Sequence, residues 1–133
     1  MSNVRKEIET IDADKILTAV DSGKVFMLNY NTTLAITLPA PTTAGLIFKF
    51  IVKDVTDTKT ITSTSTNISG VICQKSTSTD TGPATDSVVA VSTATNILFG
   101  TTAELGDTVE LISDGTNYYV TGFSRINGAI TVS

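Results

Sequence analysis

The side chains that could do chemistry are few, and most are carboxylates. They fall in small groups: Asp12 with Asp14, Asp54 with Asp57, and Asp107 ahead of Asp114. Paired acids are what glycoside hydrolysis and calcium binding need, since one carboxyl can hold a proton or share a cation while its neighbour stays charged. Each group also has a turn explanation. Asp114 precedes Gly115, Asp107 follows Gly106, and Asp54 and Asp57 lie in a polar stretch. At such places an Asp oxygen accepts backbone N–H bonds.

The chain has no histidine, which removes the usual general base, the commonest metal ligand and the Ser-His and Cys-His nucleophile pairs together. Cys73 is the single cysteine. With no neighbouring base or helix N-terminus to activate it, it reads as a small buried hydrophobe. Gly82-Pro83 is followed by no helix that could cradle a phosphate. Sugar-binding sheets rely on flat aromatic platforms, but there is no tryptophan, and Tyr118 and Tyr119 are the only adjacent aromatic pair. Neighbours on a strand face opposite ways, so one of the two enters the core and the other meets solvent or a partner. No catalytic, cofactor or metal residue is predicted, and the protein reads as a non-enzyme.

The elements that would position these residues are strands. Thr is the commonest residue, and with Val and Ile it fills the chain with β-branched side chains suited to a pleated surface. Asp21-Ser-Gly23 turns into a strand over Lys24 to Asn29, and Asn31-Thr-Thr33 turns again into Leu34 to Leu38, which predicts a hairpin. Pro39 and Pro41 end that strand. Leu46 to Val52 is apolar on both faces and predicts a central strand. Lys59 to Thr64 and Ile68 to Cys73, the latter with a bulge at Gly70, are expected to pair. Gln74 to Asp86 reads as an exposed loop. Ser87 to Val91 and Asn96 to Phe99 follow as strands, then Thr108 to Ser113 and Tyr118 to Thr121 as a hairpin around Asp114-Gly115. Ala129 to Val132 closes the chain after the Asn127-Gly128 turn. Asp14 to Val20 holds at most one helical turn. The expectation is an all-β fold, an antiparallel β-sandwich or jelly roll of about nine or ten short strands. It comprises an N-terminal arm over residues 1–14 and a single domain over 15–133.

Composition narrows the function classes. The formal net charge is −4 over 133 residues with no basic stripe, which argues against nucleic acid as a partner. No apolar run nears the roughly 20 residues that span a bilayer, so no membrane partner is expected. One cysteine and no basic-plus-apolar leader fit folding in a reducing cytoplasm.

Several stretches resemble small virion proteins of tailed bacteriophages. They are Ile16-Leu-Thr-Ala-Val-Asp-Ser-Gly-Lys-Val-Phe-Met-Leu28, Ile36-Thr-Leu-Pro-Ala40, Gly45-Leu-Ile-Phe-Lys-Phe50 and Gly106-Asp-Thr-Val-Glu-Leu-Ile-Ser-Asp-Gly-Thr-Asn-Tyr-Tyr-Val-Thr-Gly122. The resemblance covers most of the chain and leans toward capsid decoration and cement proteins. It implies a homo-oligomer, a trimer by preference, assembled in the host cytoplasm, bound to the major capsid protein on the capsid surface and needing no cofactor. Where relatives of the last hairpin carry Trp, this chain has Tyr118. Tail fibres or spikes and a glycan-binding β-sandwich module are the alternatives. Charge alternating with isolated apolar residues in the arm marks it as an edge strand or a reach to a neighbouring subunit, with a loose tail as the alternative. Arg5, Lys6 and Ile8, together with Tyr119, are the candidate contact residues.

Overall fold

Alternation sets the longest strand: Leu46, Phe48, Phe50 and Val52 are buried, while Ile47, Lys49 and Ile51 between them are half-buried. The computed structural model describes residues 5–75 and 87–133. Among them the strands are β1 Ile8–Ile11, β2 Lys15–Ile16, β3 Val25–Leu28, β4 Leu34–Thr37, β5 Ala44–Val52, β6 Lys59–Thr62, β7 Ile68–Gln74, β8 Ser87–Ala94, β9 Asn96–Phe99, β10 Thr108–Asp114, β11 Tyr118–Ser124 and β12 Ile130–Val132. The protein is all-β, with more strands than the nine or ten expected, because the start of the chain adds the short β1 and β2. A single 3-10 turn, Ala19–Asp21, is the helical turn anticipated after Asp14.

The strands form two mixed sheets, one in the order β1-β3-β5-β10-β11-β7-β8 and one in the order β12-β9-β6-β4-β2. Wholly antiparallel pairing is therefore corrected: β1–β3, β3–β5, β2–β4, β4–β6 and β7–β11 are parallel. The cause of the first four lies in the first half of the chain, which crosses to the other sheet at every connection. A strand that crosses over and returns comes back in its original direction. Residues 29–33 are thus an arch between sheets and not a hairpin, and β3 and β4 do not pair. For the same reason the expected pairing of Lys59 to Thr64 with Ile68 to Cys73 does not form, since β6 and β7 lie in different sheets. Successive arches bond to each other, Asn29 N–H to Ile11 O at 3.0 Å and Lys53 N–H to Leu28 O at 2.9 Å. Leu17 N–H bonds to Thr37 O and Leu38 N–H to Thr62 O, each at 2.8 Å. The hairpin at Asp114-Gly115 forms as expected, joining β10 to β11.

Each sheet turns one face to a single hydrophobic cluster. Phe26, Phe48, Phe50, Leu111 and Val120 enter it from one side, and Leu34, Ile36, Ile61, Ile97 and Phe99 from the other. Register stacks the winding, with Ile11, Leu28 and Val52 in one row and Phe26 against Phe50 at a ring separation of 5.4 Å.

The first turn of the winding closes the stack with charge. Glu9 occupies the register position of Phe26 and Phe50, and Lys15 that of Ile36 and Ile61. The two form an ion pair, and the Lys15 ammonium lies 5.9 Å from the centre of the Phe26 ring. Inward-pointing charge on an edge strand discourages further strand addition. Lys24 joins the group, 3.3 Å from Glu9 and 3.0 Å from Asp21. The hydrogen bond from Lys15 is the main cause that holds the Glu9 carboxyl below its ordinary value. For Asp21, burial pushes upward, but the Thr18 N–H and Lys24 outweigh it and the carboxyl is also lowered. Depressed carboxyls stabilise the fold above their ordinary values of 4.5 and 3.8, and that stabilisation is lost as pH falls through the folded values. Urea midpoints should therefore drop between pH 5 and pH 3, and less steeply in Lys24→Met than in the parent chain.

Tyr118 ties the hairpin to the proline loop. Its ring is fully buried at an edge-on 6.4 Å from Phe48, and its hydroxyl donates to Pro39 O at 2.6 Å. Burial pushes the phenol up to about 12. Tyr118→Phe should cost about 1 kcal/mol in urea unfolding, the net worth of one hydrogen bond.

Gln74 is not the start of a loop. It is buried in β7, and its amide donates to Ile130 O at 3.0 Å and accepts from Ile130 N–H at 3.1 Å, linking the two sheets. Residues 76–86 of the expected loop, and residues 1–4 of the arm, lie outside the described residues.

Candidate functional site

Five of the six acids singled out for chemistry hold the backbone. Asp14 accepts from Ala35 N–H at 2.9 Å, Asp54 from Thr56 N–H at 2.7 Å and Asp57 from Thr58 N–H at 2.8 Å. Asp114 takes the amides of Asn117 at 2.7 Å and Thr116 at 2.8 Å, and these bonds lower its carboxyl. Asp107 is buried and accepts from Glu104 N–H, the Ser124 hydroxyl and Arg125 N–H at 2.9, 2.9 and 3.0 Å. Among the described residues, no three Cys, Asp or Glu side chains gather as a metal ion would need. Lys59 is buried, and its ammonium donates to Thr56 O at 2.8 Å, while burial pushes it below its ordinary value.

The distinctive feature is the outer face of the seven-stranded sheet. Alternation along each strand sends every second residue outward, and the registers align them in rows. One row runs Ile8, Val25, Lys49, Glu110, Thr121, Val71, Ala90. The next runs Thr10, Met27, Ile51, Thr108, Phe123, Cys73, Val88. A shorter one holds Ile47, Ile112, Tyr119 and Ser69. Ile8 and Phe123 are each 64% exposed and Tyr119 is 50% exposed. Within these rows the only charged residues are Lys49 and Glu110, directly opposite each other on β5 and β10.

The sequence matches no protein-family model, and it finds no match among curated proteins.

Most residues of these rows are apolar, interspersed with Thr10, Thr108, Thr121, Ser69 and the Lys49–Glu110 pair, and covering such a face releases water. The outer face of the five-stranded sheet differs: Thr131, Leu98, Thr60 and Ala35 form one row, and Asn96, Thr62, Thr37 and Ile16 another. It is small and rich in hydroxyls.

Of the candidate contact residues, the structure brings Ile8 and Tyr119 onto the apolar face. Arg5 and Lys6 are exposed ahead of β1. The arm from Ile8 onward is an edge strand of its own sheet, the first of the two roles expected for it. Tyr118 enters the core and Tyr119 faces out, as the strand period requires. Cys73 is corrected from a buried hydrophobe to a half-buried residue of the outer face, between Phe123 and Val88. Sequence reasoning missed Met27, Ile112 and Phe123. Phe123 is four residues beyond Tyr119 on the same strand, so the parity that turns Tyr119 outward also turns Phe123 outward.

Proposed function

We propose that this protein is a non-enzymatic virion structural protein of a tailed bacteriophage, a capsid decoration or cement protein that binds the lattice of the major capsid protein. The observation that carries the reading is the apolar outer face of the seven-stranded sheet, a surface built for covering by protein and free of any arrangement of acids aimed into a cleft. Its support from sequence is the resemblance to phage virion proteins. In this reading the two mixed sheets form a β-sandwich, rigid enough to brace a shell. Many copies with modest contacts add up through avidity to a strong grip on a repeating lattice.

The test is addition of the purified protein to undecorated shells of its own phage, followed by occupancy and heat disruption. Saturable binding and a raised disruption temperature are expected, and shells that bind none of it overturn the proposal. Arg5→Glu with Lys6→Glu should lower occupancy while leaving the melting temperature of the free protein unchanged. A glycan-binding role on a tail fibre is favoured by one feature, Tyr119 and Phe123 exposed on the same side of β11. Glycan arrays with Tyr119→Ala and Phe123→Ala separate it from the capsid reading.

A further inference from the structure

We propose that the apolar outer face of the seven-stranded sheet pairs with the same face of a second copy of this chain, across a two-fold axis that runs along the strands between β5 and β10. The proposal rests on the structural-protein reading, gives this face to a second copy and leaves the contact with the capsid lattice to other surfaces, Arg5 and Lys6 ahead of β1 among them. It replaces the trimer implied by the resemblance with a two-fold pair.

The face is complementary to itself. Three strands, β5, β3 and β1, lie on one side of the axis and four, β10, β11, β7 and β8, on the other, so that three pair on each side and β8 stands beyond the partner's β1. Rotation about the axis lays β5 over the partner's β10 at the same height, because Lys49 and Glu110 are register partners. Lys49 then meets the second copy's Glu110, and Glu110 its Lys49. Ile47 lies over Ile112, Met27 over Phe123 and Ile8 over Val71, while Val25, Ile51 and Cys73 meet the small hydroxyl residues Thr121, Thr108 and Thr10. Gly23, which follows Ile47 in register through its 2.8 Å bond to Ile47 O, leaves room for the partner's Tyr119.

Continuing the registers one step past the strand ends sets Asp12 over Lys75, with Lys53 and Arg125 facing the uncharged Gly106 and Asn29. No like charges meet. In an isologous interface each residue must face its own complement in the other copy, and a face with its few charges arranged at random would not satisfy that. Within one chain, Lys49 and Glu110 form no salt bridge among those of the described residues, which leaves both heads available across the interface. Aligned sheets pack about 10 Å apart at roughly −30°, a spacing that these side chains fill. Six strands about 4.8 Å apart and five residues long give a footprint of about 500 Å² per copy, near the lower bound of a specific interface. The pair should accordingly be a weak one, in the micromolar range.

The experiment uses the full chain in solution and no shell. Sedimentation velocity of the parent protein over about 1 to 200 μM should show a monomer–dimer equilibrium. Lys49→Glu or Glu110→Lys alone should weaken pairing roughly 100-fold, since each sets like charges across the interface twice. An equimolar mixture of the two variants should recover a dimer of one copy each by native mass spectrometry, because each contact then joins opposite charges between different chains. A third variant, Phe123→Glu, leaves the cross-strand charges intact and should also yield monomer. It covers the case in which a charge reversal impairs folding, which circular dichroism would register. A parent protein that stays monomeric at 200 μM, one that forms a trimer indifferent to these substitutions, or a mixture that fails to pair would overturn the proposal. Any of these results leaves the capsid reading to the occupancy assay, which is measured separately.

Discussion

Gly70→Ala is expected to lower stability by about 4 kcal/mol, from backbone strain of about 1–3 kcal/mol together with overpacking of similar size. Gly70 sits in β7 at φ +146°, where the register with β8 shifts, the bulge that an isolated glycine inside a strand signals. A Cβ at this position would lie 2.0 Å from the carbonyl oxygen of Val120 and 2.9 Å from the Val120 carbonyl carbon and nitrogen. These are backbone atoms of the neighbouring strand, which cannot swing aside as a side-chain tip can. Gly23→Ala is the control, at φ +88° with no atom within 4 Å of the added carbon. It carries the conformational strain alone and should cost about 1 kcal/mol. Urea unfolding of the two variants side by side measures the steric part as their difference. Equal losses would mean that β7 and β11 can separate freely at Val120.

The two halves of the chain differed in how much of their fold their residues revealed. β5 was legible because the seven residues Leu46 to Val52 are apolar on both faces but for Lys49, and the β10–β11 hairpin because Asp114-Gly115 fixes a tight turn between two apolar runs. The winding of β1 to β6 was not. Asn29 to Thr33 and Lys53 to Thr58 have the polar composition of any tight connection, and an arch between sheets differs from a hairpin only in which faces its flanking strands bury. That is decided by stacking on strands more than ten residues away, such as Leu28 on both Ile11 and Val52. Glu9 and Lys15 obscured it further. They stand where later turns of the winding carry Phe and Ile, so no apolar repeat marks the first turn as part of the stack. The contact face was half legible: one of Tyr118 and Tyr119 had to point outward, and Ile8 stood alone among charges. Met27 and Ile51 belong to strands apolar on both sides, where nothing local distinguishes outer residues from inner ones, and Ile112 is an isolated apolar residue beside Thr108, Glu110 and Asp114 on the outer side of β10.

Asp107→Ala should be the other severe substitution, costing about 3 kcal/mol through the loss of hydrogen bonds to a carboxylate and the exposure of unmet donors. Sequence placed this residue at a turn, and the structure shows how much that turn holds. One carboxylate oxygen accepts from Glu104 N–H and the Ser124 hydroxyl, the other from Arg125 N–H. The backbone of the same residue accepts from Val52 N–H at 2.9 Å, which docks the end of β5. A single side chain thus joins the approach to β10, the end of β11 and the segment leading to β12. Alanine leaves the Glu104 and Arg125 amides without their acceptor, while the Ser124 hydroxyl keeps Ile126 O at 3.1 Å. Asparagine keeps one carbonyl oxygen but presents an NH2 group to donors on the other side, so Asp107→Asn should recover less than half of the loss. Ser124→Ala removes one of the three bonds and leaves the carboxylate two partners, and its cost should stay near 1 kcal/mol. If Asp107→Ala and Ser124→Ala proved equally mild, the end of the sheet that bears Phe123 would be held by core packing alone. Because Phe123 immediately precedes Ser124, a loosened Asp107 turn should also disorder the outer face there, and the Asp107→Ala protein should self-associate more weakly even at temperatures where it remains folded.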